Sequence, residues 1–196
     1  MGMDVYGKNP KINTKEGDFP VYEKYKNMEY KQKWNELDTE EDLTDKYFEE
    51  LAKVESINKG IHLRSSVWSW RPLWNYCYAV ADDIIDEVTY QKGHENSGAG
   101  LNSKDARLLG NRLLQQIREG KTIQYQASYE QYLNDLPDED CVVCKNNNRG
   151  HRKKKECKVC KKTGKKTNFN KSYEFDIDHV KEFAEFLLEC GGFEIC

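Results

Sequence analysis

Apolar residues recur at three- and four-residue steps in five stretches of this chain and alternate briefly in three others, which predicts five helices and three short strands. Met3, Val5 and Tyr6 form the first alternating run, closed by Gly7 and Pro10. A first helix follows Asp38 and Thr39. It carries Leu43, Tyr47, Leu51 and Val54 on one face and stops at Asn58-Lys59-Gly60. The second opens at Arg71-Pro72 and runs through Leu73, Tyr76/Cys77, Val80/Ala81, Ile84 and Val88. The third starts at a cap on Asn102 or Ser103, shows Leu109, Leu113/Leu114 and Ile117, and ends at Gly120. The fourth is faced by Tyr125, Tyr129, Tyr132/Leu133 and Leu136, with its exit at Pro137. Tyr173, Phe175 and Ile177 alternate as a strand, and Asp178 caps a last helix bearing Val180, Phe183/Ala184 and Leu187. Gly191-Gly192 then release Phe193 to Cys196 as a terminal strand. Residues 8–37 are polar and weakly periodic, an irregular arm that meets the body through Phe19, Tyr22, Tyr25 and Trp34. The sum is a predominantly helical α+β fold with a small sheet. Its body comprises 1–137 and 172–196, interrupted by a polar insert at 138–171.

The insert holds two CxxC pairs, Cys141/Cys144 and Cys157/Cys160, twelve residues apart. Each pair chelates through one tight turn, and four thiolates close a tetrahedron around a single structural Zn²⁺, as in zinc ribbons and knuckles. The larger apolar residues here are only Val142, Val143, Val159 and Phe169, so metal binding has to supply the folding free energy. A redox CxxC would need a βαβ context that the pattern lacks. With four thiolates in place, His151 is read as a surface residue. The run Cys157-Lys-Val-Cys160-Lys-Lys-Thr163-Gly164-Lys resembles one CxxCxGxG unit of the cysteine-rich region of J-domain chaperones, which implies zinc binding. The first pair departs from that unit at Asn146-Asn147-Asn148, and without a His-Pro-Asp signature no co-chaperone role is implied.

Charge changes the picture of the insert. Residues 141–171 hold twelve Lys/Arg and one acid, Glu156, which leaves 19 basic and 33 acidic residues elsewhere, a net of −14. A four-thiolate zinc centre still leaves the insert at about +9. Such a patch attracts nucleic acid, here through Lys153, Lys154 and Lys155, or the protein's own acidic body. Seven cysteines without an apolar leader point to a reducing cytoplasm, and no apolar stretch reaches the ~20 residues of a membrane span.

Two further clusters have chemical content. The block Ile61 to Tyr76 brings three of the four tryptophans together with Arg64 and Arg71. Read as extended chain, Trp68 and Trp70 share a face, and Arg64, Trp68, Trp70 and Arg71 form a site where a ring stacks and an anion is clamped. The other fate of these indoles is core. Asp82, Asp83 and Asp86 spell DDIID on the second helix, with Asp82 and Asp86 one turn apart, a spacing that holds Mg²⁺. It resembles the DDxxD box of prenyl-diphosphate enzymes, although no second acidic box accompanies it. No GxGxxG, HExxH or Ser/His/Asp signature appears.

The opening Gly2-Met3-Asp4-Val5-Tyr6-Gly7, the block from Val67 to Trp74 and the closing Gly191-Gly192-Phe193-Glu194 are similar to small accessory proteins of phages and bacteria. That resemblance supplies no catalytic residues. Together these features describe a zinc-stabilised, non-enzymatic binding protein, an accessory or anti-defence factor that sequesters an anionic nucleotide or blocks a host protein. One alternative is a nucleic-acid binder working through the basic insert. The other is a magnesium-dependent enzyme on a phosphorylated substrate, using Asp82, Asp83 and Asp86.

Overall fold

Strands from opposite ends of the chain meet in one sheet. The computed structural model describes residues 2–39, 41–143, 157–161 and 163–196. Strand β1 (Gly2–Gly7) lies at the centre, with β2 (His62–Ser66) antiparallel on one side and β5 (Phe193–Ile195) antiparallel on the other. Val5 pairs with both Leu63 and Ile195, and all three are buried. Against this sheet pack α4 (Val67–Val80), α6 (Ser103–Arg118) and α8 (Ile177–Glu189). Trp70 and Trp74 of α4 are fully buried and stacked at 5.6 Å. Their indole N–H groups donate to the carbonyls of Gly93 (2.8 Å) and Tyr90 (2.9 Å), so the rings enter the core without an unpaired donor. The fold class expected from the pattern is the one observed, and no helix among the described residues is long and apolar enough to cross a membrane.

Several local readings are corrected. Residues 8–37 are not an irregular arm: they contain α1 (Pro20–Tyr25) and α2 (Tyr30–Leu37), which build a second small core with α3 (Glu41–Ile57) around Tyr25, Leu37 and Tyr47. Helices of six and eight residues are too short to persist alone, and the contacts holding them come from α3. The buried Glu50 carboxylate accepts hydrogen bonds from Val21 N (2.8 Å) and Tyr22 N (2.9 Å), capping α1 from outside. Buried Asn58, read as a simple helix stop, accepts from Asn13 N at 2.6 Å and donates to Val54 O at 2.9 Å.

The second predicted helix is two. Helix α4 begins at Val67, capped by Ser66, whose hydroxyl accepts from Ser69 N at 3.1 Å, so Pro72 lies inside it rather than at its start. It stops at Val80. Asp86 then caps α5 (Glu87–Lys92) by accepting from Thr89 N at 2.8 Å, and Val88 is exposed. The local Asp86–Thr89 cap overrides the continuing apolar period. Tyr173 to Ile177 is not a strand: a 3₁₀ turn over Phe169–Ser172 precedes it, and Ile177 already belongs to α8. Asp176, not Asp178, caps α8, accepting from Asp178 N at 2.9 Å. Helix α7 (Lys121–Asp135) leads into the insert.

Candidate metal centre

The insert rises from a two-stranded neck. Strands β3 (Glu139–Asp140) and β4 (Lys165–Lys166) pair antiparallel, with Glu139 opposite Lys166 and Asp140 opposite Lys165. Each opposing pair is also an ion pair, at 3.0 Å and 2.6 Å respectively. These exposed pairs contribute about 0.2–1 kcal/mol each and favour this register. Below the neck, Asn168 donates to Pro137 O (3.1 Å) and Lys171 to Asn134 O (3.2 Å), tying the exit of the insert to its entrance.

Cys141 follows β3 directly, and its N–H donates to Gly164 O at 2.8 Å, which carries the ladder one step further. That step sets its thiol beside the second CxxC pair. There the chain turns back through Lys161 (φ 47°) and Gly164 (φ 76°), both left-handed. Thr163 N donates to Cys160 O at 3.0 Å, and Gly164 N–H donates to Cys160 Sγ at 3.3 Å, a bond suited to a sulfur carrying negative charge. The Sγ atoms of Cys141 and Cys157 are 3.7 Å apart, and those of Cys141, Cys157 and Cys160 all lie within 4.8 Å of one another. Thiolates bound at about 2.3 Å to a tetrahedral ion sit roughly 3.8 Å apart. Three close cysteines can therefore hold a metal ion, and the residues fit the group. Cys141 and Cys160 are buried and Cys157 is partly exposed. The remaining ligand expected from the sequence, Cys144, lies outside the described residues, as do His151, Lys153, Lys154 and Lys155.

Two other thiols behave differently. Cys77 and Cys190 are enclosed by the body core, and burial raises both thiol pKa values, that of Cys190 to about 11. They are packing residues.

The four residues of the expected anion site do not converge. Inside a helix successive side chains turn by about 100°, so Trp68 and Trp70 face nearly opposite ways. Trp70 goes to the core, and Trp68 meets Phe169 (5.1 Å) and Tyr173 (5.0 Å) on the exit segment of the insert. Arg71 donates to the Tyr173 hydroxyl at 2.9 Å and lies 5.6 Å over that ring. Arg64 is on β2, well exposed and 3.8 Å from Asp4. Sequence reasoning missed Tyr173 as the partner of both Trp68 and Arg71; the aromatic pair Phe169 and Tyr173, four residues apart, was the available signal.

The acidic run is likewise dispersed. Asp82, Asp83 and Asp86 sit on the turn after α4 and do not share a helix face. Both carboxylate oxygens of Asp83 face the Arg112 guanidinium, which lowers its carboxyl pKa, and the hydrogen bond from the Thr89 backbone N–H, with a second from its hydroxyl, does the same for Asp86. Among the described residues, the cysteine trio is the only group of metal-ligating side chains close enough to hold an ion.

Compared with known proteins, the chain matches no protein-family model, no curated protein and no solved structure.

Proposed function

We propose that the protein is a non-catalytic binding protein. One Zn²⁺, held by Cys141, Cys144, Cys157 and Cys160, organises a basic head whose partner is single-stranded nucleic acid. The observation that carries this reading is the direction of the knuckle side chains. Lys158 and Lys161, on the turn between and beyond the second ligand pair, are exposed and form no ion pair among the described residues. Val142, Val143 and Val159, which lie between ligands, are 55, 45 and 59% exposed. Among the described residues of the head, the lysines in ion pairs, Lys165 and Lys166, bind the neighbouring strand β3. Outward cations beside small apolar surfaces suit a phosphate backbone with accessible bases.

Within this reading, zinc supplies a rigid cross-link, and the thiolates' own charge is outweighed by twelve Lys/Arg in 141–171. The resemblance read from the sequence alone, to phage and bacterial accessory proteins, suggests a setting, a factor that occupies or blocks a host component. The magnesium-enzyme alternative loses support, because Asp83 and Asp86 are committed to Arg112 and to the α5 cap.

Filter retention of a labelled single-stranded oligonucleotide across a salt series tests the proposal. Retention should fall steeply with salt. Lys153→Glu, Lys154→Glu and Lys155→Glu together should lower the log–log slope by about 2–3. Stripping metal from the reduced protein should abolish retention. No retention at low salt, or retention indifferent to metal, would refute it.

A further inference from the structure

A cleft of about 360 Å³ opens where the insert rejoins the body, and three separate chain segments build it. From α4 come Arg71 and Asn75, one turn apart on the same face; from α7 come Tyr129 and Tyr132; from the exit segment come Asn170 and Tyr173. Its volume falls within the roughly 300–1,000 Å³ of small-ligand sites.

The chemistry of its walls is specific. A guanidinium has five N–H donors, and among the described residues Arg71 spends one, on the Tyr173 hydroxyl, with no carboxylate in ion-pair range. Burial, and after it the Arg71 charge, lowers the pKa of nearby His94. Asn75 uses its carbonyl oxygen to accept from Tyr90 at 2.9 Å, which leaves its amide N–H₂ to donate. The Tyr129 and Tyr132 hydroxyls form no hydrogen bond among the described residues, and Tyr132 is 54% exposed. The rings of Tyr129 and Tyr132 stand 6.1 Å apart at 45°, so they form an aromatic wall with no tight internal stack. One fixed cation, an amide donor and an aromatic wall in one cleft are the elements that a planar ring bearing a phosphate requires.

The geometry points to a site for a nucleoside monophosphate, its base against Tyr132 and Tyr129 and its phosphate on Arg71 and Asn75. This site uses none of the cysteines or knuckle lysines, so it stands or falls independently of the nucleic-acid reading. The same chemistry is offered by a free nucleotide and by one unstacked nucleotide of a bound strand, and the two are separable by competition.

Calorimetric titration of the metal-loaded protein with AMP, adenosine and ribose 5-phosphate is the test. AMP should bind, and each fragment should bind at least about tenfold more weakly. Arg71→Gln should weaken AMP by about tenfold or more. Because Arg71 also touches Tyr173, Tyr132→Leu is the second variant: it alters an exposed ring, should leave melting temperature and zinc content unchanged, and should weaken AMP by a similar factor. A short oligothymidylate that displaces AMP assigns the cleft to a strand nucleotide, and one that does not assigns it to the free ligand. Absence of AMP binding at millimolar concentration, adenosine binding as tightly as AMP, or AMP binding unchanged in both variants would overturn the site.

Discussion

The body and the head of this molecule are stabilised by opposite means. In the body the large apolar side chains are inside: Trp70, Trp74, Phe183, Phe186 and Phe193 are all within 1% of full burial. In the head they are outside, with Val142, Val143, Val159 and Phe169 all 45% or more exposed, and the buried residues among those described there are Cys141 and Cys160. One region is held by apolar area, at about 25 cal/mol per Å², and the other has a two-residue-deep ladder and a cysteine trio that can hold a metal ion. The difference teaches that the head is free to present side chains, because its fold does not consume them.

The strongest way to break this comparison is Trp74→Ala. It removes a stacked indole from the core and takes from the Tyr90 carbonyl one of its two donors, the Gly93 N–H remaining at 3.2 Å, so the body should lose about 3–5 kcal/mol in denaturant unfolding. If the head is independent, metal content should stay at one ion per chain under conditions where the variant is still folded. Next comes Glu50→Ala, which deprives two backbone N–H groups of α1 of their acceptor. A cost of about 1–3 kcal/mol is expected, with hydrogen exchange rising over residues 20–25 and not in α8. That outcome would sharpen the comparison, because it marks the α1–α3 lobe as part of the body held by polar clamps.

Cys160→Ser probes the other side. Metal should be lost, while the melting of the body shifts by no more than about 0.5 kcal/mol. A large drop would mean that the head supports the body. The smallest effect concerns His62, whose two ring nitrogens lie 3.1 Å from Glu55 and 3.0 Å from Asp4, with Tyr6 stacked at 4.7 Å. A neutral imidazole donates from one nitrogen only, so the pair of carboxylates favours imidazolium, and the hydrogen bond to Glu55 is the main cause of its raised pKa. Stability from this strap is complete below pH ~6.5 and is lost as pH rises through the raised value. The gap in stability between the parent and His62→Gln should therefore narrow as pH increases, and a gap that widens would contradict the assignment.

What was legible in the sequence was whatever is local. The convergence of Cys141, Cys157 and Cys160 follows from short spacings, and α3, α6, α7 and α8 follow from apolar periods uninterrupted by a cap. The Ser66–Ser69 and Asp86–Thr89 caps were equally local, but the stronger apolar run from Leu73 to Val88 hid them. Helices α1 and α2 were not legible because Glu50 lies 28 and 29 residues from the groups it caps, and Asn58 lies 45 residues from Asn13. The cleft at Arg71 was invisible for the same reason: Tyr129 and Tyr132 read as an apolar stripe until the exit segment is placed beside them.

The pairing of Val5 with Ile195 has a further consequence, in time. The two residues are separated by 190 positions. At about 5–20 residues per second on a ribosome, β1 waits roughly 10–40 s for the strand that covers its free edge. During that interval Met3 and Val5 have only β2 for company, an open edge of the kind that recruits foreign strands. The cysteine head is translated earlier and its ligands need no distant partner, so on the proposed zinc reading it loads its ion while the sheet is still incomplete. Nascent chains arrested shortly before residue 193 should accordingly carry metal and yet remain sensitive to protease across the body.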